Sequence, residues 1–430
     1  MKSLFKKIIV SILTYEAKLL IRRTKPTIIA ITGSVGKTSV KDAVYAVLKD
    51  TTHVRKSEKS YNSDIGVPLS VLGLPNAWNN PLRWIKNIID GALYALHPSE
   101  YPKLLVLEMG VDRPGDMEKL TAWIKPDVVV LTRFPDVPVH VEFFSTPEAV
   151  IAEKSKLVHA LKPDGVLVYN QDDEKVVEVA KGVRQRAIGY SRYSLSPFTA
   201  SGDKIVYEHG TAIGFEFILT HGDEAVTMRV QGSLGVQQAY NYAAATAVAS
   251  LFGVYIRSCA ASLATHTPPQ GRMRIIPGIK HTLLIDDTYN SSPIASEQAL
   301  KTLGELRGVK RKIAVLGDMM ELGQFSISEH ERIGKFVAKY ADVLVTVGVR
   351  ARGFSKGAID AGMNPKDIFE YDDARRAGKE IQTFIKEGDV LLVKGSQSIR
   401  AERFVEELMT EPEHADTLLV RQSVEWKQYG

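Results

Sequence analysis

Ile29-Ala30-Ile31-Thr32-Gly33-Ser34-Val35-Gly36-Lys37-Thr38-Ser39 joins an apolar run to an amphipathic one through two glycines. Residues 26–31 begin with a proline and are otherwise β-branched and apolar, the pattern of a short buried strand. Residues 32–36 read as a glycine-broken turn. From Thr38 onward, Val40, Ala43, Val44 and Val47 recur at helical spacing. Strand, glycine turn, Lys-Thr and helix together make a cradle for phosphate. Glycines let backbone N–H groups approach the oxygens, and the helix N-terminus adds partial positive charge. In such a loop Lys37 reaches the terminal phosphates of a nucleotide and the Thr38 hydroxyl ligates Mg2+. The usual pattern begins with a glycine where this chain has Ile31, so Gly33-x-x-Gly36-Lys37-Thr38 is a shorter loop. An ordinary glycine turn is the plainer alternative.

A chain of 430 residues is long enough for about two or three domains, each with its own core. A net charge of +5 is small for this length and does not argue for nucleic acid. Cys259 is the one cysteine, which excludes an internal disulfide and a cysteine-based zinc site. No apolar stretch reaches the roughly 18 residues of a membrane span. Residues 1–23 carry Lys2, Lys6 and Lys7, then Ile8-Ile9-Val10, Ile12-Leu13 and Leu19-Leu20-Ile21, then Arg22-Arg23. No small-residue cleavage site follows, so secretion is not expected and a cytoplasmic protein is. Two readings stay open for this segment: a helix packed on the next domain, or a basic amphipathic helix in contact with anionic lipid at the inner face of the membrane.

Buried strands are expected at 52–54, 104–110, 127–132 and 165–170, with a helix over 78–96 whose Leu82, Trp84, Ile85, Ile88, Ile89 and Leu93 cover the sheet. Strands alternating with helices imply a parallel doubly wound sheet, with ligands at the carboxyl ends of its strands. Glu108, Thr132 and the glycine loop fall on that edge. Short alternating strands in 187–231 suggest a small antiparallel sheet appended to the same domain. Residues 235–252 return to helix, and 265–272 read as a linker. Four further strands, at 282–286, 312–316, 343–347 and 389–393, make a second, Rossmann-like α/β domain. The tail after Pro412 is polar and reads as loosely held. The division expected is a basic amphipathic helix at 1–25, a P-loop-type domain with its antiparallel extension at 26–267, and the Rossmann-like domain at 268–430.

Several of these patterns, taken in order over 27–408, resemble the ATP-dependent Mur ligases. They are the glycine loop; Asp64-Ile65-Gly66-Val67-Pro68; Leu107-Glu108-Met109-Gly110; Asn170-x-Asp172-Asp173; Gly271-Arg272-Met273; Asp286-Asp287-Thr288-Tyr289-Asn290-Ser291-Ser292-Pro293; Leu316-Gly317-Asp318-Met319-Met320-Glu321-Leu322-Gly323; and Lys394-Gly395-Ser396. Within the family the chain is most similar to members that add D-alanyl-D-alanine to the muramoyl-tripeptide precursor of peptidoglycan. The resemblance implies a monomeric, ADP-forming amide ligase, important for the cell wall, cell shape and cell division. It would use ATP and Mg2+ and work through an acyl phosphate. Typical members begin with a domain that binds the UDP part of the acceptor, whereas the glycine loop here starts close to the first residue. The acceptor is therefore expected to be held differently or to be another carboxylate. A polyglutamate- or cyanophycin-type extender and a non-catalytic nucleotide-binding protein at the membrane surface are the alternatives.

The resemblance also assigns roles. Gly33, Ser34, Val35, Gly36, Lys37, Thr38 and Ser39 would hold the ATP phosphates, and Glu108 would join Thr38 on the metal. His140 looks like an active-site or second-metal histidine, although Arg133 stands where the family has asparagine. The family carries a lysine that reacts with CO2 to form a metal-binding carbamate. Lys154 and Lys156 compete for that role, and the spacing to Asn170 favours Lys154. Asn241 resembles the adenine contact, with Gln237 in place of a histidine. Arg272 would reach the γ-phosphate. Asp286 or Asp287 would accept from the ribose, and Asn290 would line the nucleotide cleft. Asp318 or Glu321 would orient an incoming ammonium. The plainer alternatives are a surface acid for Glu108, a loop histidine for His140 and a solvated pair for the two lysines.

Overall fold

Ile28, Ile29, Ala30 and Ile31 are all buried in the strand Thr27–Thr32, which has cores on both faces. Side chains alternate across a strand, so Ile29 and Ile31 face one core and Ile28 and Ala30 the other. On the first side lie the helices Lys37–Leu48 and Gln237–Ser250. The alanine run of the second lets the two helices approach closely. On the other side lie Gly66–Leu72, Asp116–Thr121, Pro147–His159 and the N-terminal helix Lys2–Thr24. The computed structural model describes residues 2–58 and 60–427; Met1, Lys59 and residues 428–430 lie outside them.

Among the described residues the first sheet has nine strands, in the order Val54–Lys56, Leu104–Glu108, Thr27–Thr32, Val128–Leu131, Val166–Asn170, Arg186–Ser191, Phe198–Glu208, Thr211–His221, Glu224–Gln231. The strands as far as Arg186–Ser191 are parallel, and the last three form an antiparallel meander. The meander continues the parallel sheet through a short parallel pairing, Tyr190 with Phe198 and Ser191 with Thr199. The second sheet runs Arg274–Gly278, Thr282–Asp287, Asp389–Lys394, Arg311–Gly317, Val343–Val347, Ile368–Tyr371, antiparallel at the first pair and parallel thereafter. Its two outer strands are not legible in the sequence. Arg274–Gly278 contains Pro277, which only an edge strand tolerates, and Ile368–Tyr371 is short and half-exposed.

Two expectations are corrected. The helix Pro81–Leu96 does not cover the sheet with its apolar face. It buries Trp84, Asn87, Gly91 and Ala95 against the N-terminal helix and Gly66–Leu72, and turns Leu82, Ile85, Ile89 and Leu93 outward. Gly91 and Ala95 are small enough to let Lys2–Thr24 approach, and Arg23 then reaches the carbonyls of Ala95 and Leu96 at 2.9 and 2.6 Å. The tail after Pro412 is not loose along its length. Leu419 and Val420 are buried, and Arg421 pairs with Glu402 at 2.8 Å and donates to the Thr288 carbonyl at 3.1 Å.

Glu16 sits in this helix contact with Oε2 buried and no partner among the described residues. Burial pushes its carboxyl up from an ordinary 4.5 to about 7. The folded chain therefore holds this proton more tightly than the unfolded one. The contribution to stability is full below about pH 4.5 and is lost as pH rises through about 7. Glu16→Gln should raise the melting temperature above pH 7 and leave it unchanged near pH 4.5. A gain independent of pH in thermal denaturation would show that the carboxyl is already satisfied.

Candidate active site

The loop after Thr27–Thr32 takes its shape from two glycines. Gly33 has φ +135° and Gly36 φ +89°, and a Cβ at Gly33 would collide with the Thr132 hydroxyl on the neighbouring strand. Gly36 opens the helix Lys37–Leu48, which has no side-chain cap, so its first-turn N–H groups face the loop. The Ser34 N–H donates to the Arg133 carbonyl at 2.8 Å, tying the loop to the segment that follows Val128–Leu131.

Opposite the loop, the Thr38 hydroxyl donates to Glu108 Oε2 at 2.9 Å, and Asn62 Nδ2 donates to Glu108 Oε1 at 2.9 Å. Lys41, almost wholly buried, places Nζ 4.0 Å from the same carboxylate. Glu108 is thus held from three sides at the end of its strand. A hydroxyl and a carboxylate make an all-oxygen donor set, which suits Mg2+. Among the described residues no cluster of three His, Cys, Asp or Glu could hold a metal alone. An ion bound by one carboxylate, a hydroxyl, phosphate oxygens and water needs none.

The basic groups converge from both sheets. Lys37 and Arg272 line one cleft of about 830 Å3 together with Thr38, Glu108, His140 and Glu321. Burial pushes the Lys37 ammonium below its ordinary value; Glu108 opposes that shift and Arg272 adds to it. Arg272 lies over the Tyr289 ring at 4.2 Å and keeps Nε buried with no partner among the described residues. An unpartnered guanidinium nitrogen beside a lysine and a helix N-terminus fits an anion. Lys154 is buried directly behind the loop, with Nζ 3.2 Å from the Gly33 carbonyl and 3.4 Å from Ser34 Oγ. Burial, and then the Lys37 charge, hold its amine well below the ordinary range. Lys156 instead points outward between Glu153 and Glu118, which raise it. His140 has φ +71° and sets Nδ1 2.8 Å from Glu321 Oε2, joining the two halves across the cleft.

The family description "Mur ligase middle domain" matches residues 31–249, and "Mur ligase, glutamate ligase domain" matches 271–397. The chain belongs to the Mur ligase family. Among relatives of this Mur ligase are UDP-N-acetylmuramoyl-tripeptide–D-alanyl-D-alanine ligases. The one from Bacillus subtilis is 26% identical over 400 residues, covering 92% of this chain and 79% of the relative. The one from Mycobacterium leprae is 29% identical over 395 residues, covering 87% and 71%. The MurF ligase of Thermotoga maritima in complex with ADP superposes with a TM-score of 0.76 at 26% identity, covering 94% of this chain and 84% of that one.

Not every residue picked from the sequence of this Mur ligase faces the cleft. Asp286 is fully buried and its carboxylate bonds within its own chain. It accepts from Gly271 N at 3.1 Å, Thr288 N at 3.2 Å and Thr288 Oγ1 at 2.5 Å. Asp287 is held by Lys394 Nζ at 2.6 Å. Asp318 accepts from Ala351 N at 2.7 Å, and of the pair Asp318 and Glu321 it is Glu321 that lines the cleft. Asn290 lines the cleft. Asn241 is buried, with Nδ2 donating to Gln238 at 3.1 Å, and its Oδ1 would lie 3.1 Å from a Cβ at Gly36. Ser39 is buried inside its helix. Sequence reasoning missed Lys41, Asn62 and Trp426. Asn62 had a signal, since it stands in a polar loop that follows a strand onto the ligand edge. Trp426 had none: it reaches the cleft only because the tail folds back, where Arg400 donates to its carbonyl at 3.0 Å.

Proposed function

We propose that the chain is an ADP-forming ligase that uses ATP to join D-alanyl-D-alanine to the carboxylate of a muramoyl-peptide precursor of peptidoglycan. The observation that carries the reaction type is the meeting of Lys37 and Arg272, from the two sheets, in one cleft with the Thr38–Glu108 pair. The amine and acceptor are proposed from the printed activities of the relatives.

In this reading a carboxylate oxygen of the acceptor attacks the γ-phosphorus, the bond to the β,γ-bridging oxygen breaks, and ADP leaves. The ammonium gives up a proton, the free amine attacks the acyl carbon, and the tetrahedral intermediate loses a second nitrogen proton to solvent as the C–O bond breaks and phosphate departs. Reaction between two anions is slow unless their charge is neutralised and aligned. Lys37, the helix N-terminus and Arg272 would neutralise the γ-phosphate. Thr38 and Glu108 would hold Mg2+, which when bound withdraws charge from the β- and γ-phosphates. Asn62 and Lys41 would keep the Glu108 carboxylate aimed. Glu321, with His140 beside it, would receive the incoming ammonium. Residues 26–267 and 268–430 are proposed as the two bodies that close on ATP about Gln270 and Gly271.

Phosphate release with ATP, Mg2+, D-alanyl-D-alanine and a panel of acceptors tests this. Release should require both a muramoyl-peptide and the dipeptide. Turnover with glutamate and a polyglutamate acceptor instead would move the chain to a chain-extending ligase. Substrate-independent hydrolysis, or none with any pair, would reject the reading.

A further inference from the structure

The helix Pro81–Leu96 carries its hydrophobic residues on the side away from the protein. Leu82, Ile85, Ile89, Leu93 and Leu96 are 51–75% exposed, and their spacing puts them on one stripe. The helix Lys2–Thr24 lies beside it and runs the same way, since Glu16 packs at Gly91 and Arg23 bonds to the Ala95 carbonyl. It shows the same division. Ile9, Leu13, Ala17 and Leu20 are buried, whereas Phe5, Ile8 and Tyr15 are exposed. A stripe of five exposed aliphatic side chains on one helix marks an interaction site rather than scattered surface residues.

The charge beside it is mostly positive: on Pro81–Leu96 the acid Asp90 is paired with Lys86, and Arg83 adds a further cation. Lys2–Thr24 carries six lysines and arginines and a single acid, Glu16, which is buried. Lys7, Lys18 and Arg22 fall on the helical stripe next to Phe5, Ile8 and Tyr15. We propose that these two helices lie in the plane of an anionic lipid bilayer and dock the protein on its surface. The stripe on Pro81–Leu96 is wholly aliphatic and offers a protein partner no aromatic or hydrogen-bonding anchor. A fluid acyl boundary needs no matching shape, and anionic headgroups attract the basic stripe. Among the described residues no helix is long and apolar enough to cross a membrane, so the contact is with the surface. The proposal stands apart from the ligase reading, and its test uses no turnover.

The test is flotation of the whole chain with vesicles of phosphatidylcholine alone or with about 30% phosphatidylglycerol. Binding should be at least about tenfold stronger to the anionic vesicles and weaken with salt. Ile89→Glu with Leu93→Glu should lower it at least about tenfold with an unchanged melting temperature, because both side chains are exposed. Leu82→Ser with Ile85→Ser, a milder pair on the same stripe, should also lower it. Lys18→Glu with Arg22→Glu should remove the preference for anionic lipid. No flotation with either vesicle at low salt, or undiminished flotation of both apolar variants, overturns the proposal. A non-floating protein that dimerises in light scattering, and loses the dimer with Ile89→Glu and Leu93→Glu, overturns it in favour of a second copy of the chain.

Discussion

Lys37→Ala should lower substrate-dependent ADP release by about a thousandfold, equivalent to about 4 kcal/mol of transition-state stabilisation. Lys37 stands at the first turn of its helix on the wall of the cleft that Arg272 enters from the second sheet. In phosphoryl transfer, positioning and charge are most of what a protein contributes, and this lysine opens the helix whose N-terminus faces the loop. The loss should not come from unfolding. Burial is the largest influence on Lys37 and disfavours its charge, with Glu108 opposing and Arg272 adding to it, so the variant should melt no lower than the parent. Equal ADP release by the two proteins under saturating substrates would remove Lys37 from the proposed mechanism.

Lys154→Ala should cost about a hundredfold in turnover, the scale seen when a metal ligand's support is removed. Short carboxylates such as acetate should restore part of it. A neutral amine takes up CO2 to give a carbamate and release a proton; an ammonium cannot. Burial and the neighbouring Lys37 hold the Lys154 amine well below its ordinary range, so it stays neutral over more of the pH scale. Lys156, raised by Glu153 and Glu118, stays charged. Activity in CO2-depleted buffer should therefore fall, most at the acid end where Lys154 becomes protonated, and bicarbonate should restore it. Lys156→Ala should leave turnover unchanged. Full activity of Lys154→Ala without added carboxylate would reject the carbamate and leave Lys154 as a brace for the Gly33 carbonyl.

Parts of this site can be read from the chain because their causes are local. A glycine pair between an apolar run and a helical one implies the loop, and the loop places Lys37 and Thr38. Glu108 at the end of an apolar run lands on the same sheet edge. Asp286 is also legible as a strand-end acid, but its partners, Gly271 and Thr288, are set by how the chain crosses between the sheets. Those bonds make it a brace for the crossover. Lys41 looks like any helical lysine until the fold puts Glu108 within 4.0 Å of it.

The sequence by itself determined the class of the fold, the phosphate loop and the parallel strands at 104–110, 127–132 and 165–170. These follow from periodicity and from the few residues able to adopt the required backbone. Only the tertiary structure decided which face of Pro81–Leu96 is buried, and it put Lys154, which the spacing to Asn170 already favoured, directly behind the loop. It also decided that Asp286 is turned inward and that the tail returns to the cleft with Trp426. Hydrophobic periodicity marks an apolar face without saying what covers it. Here the small side chains of Gly91 and Ala95 admitted the neighbouring helix and left the aliphatic stripe facing solvent.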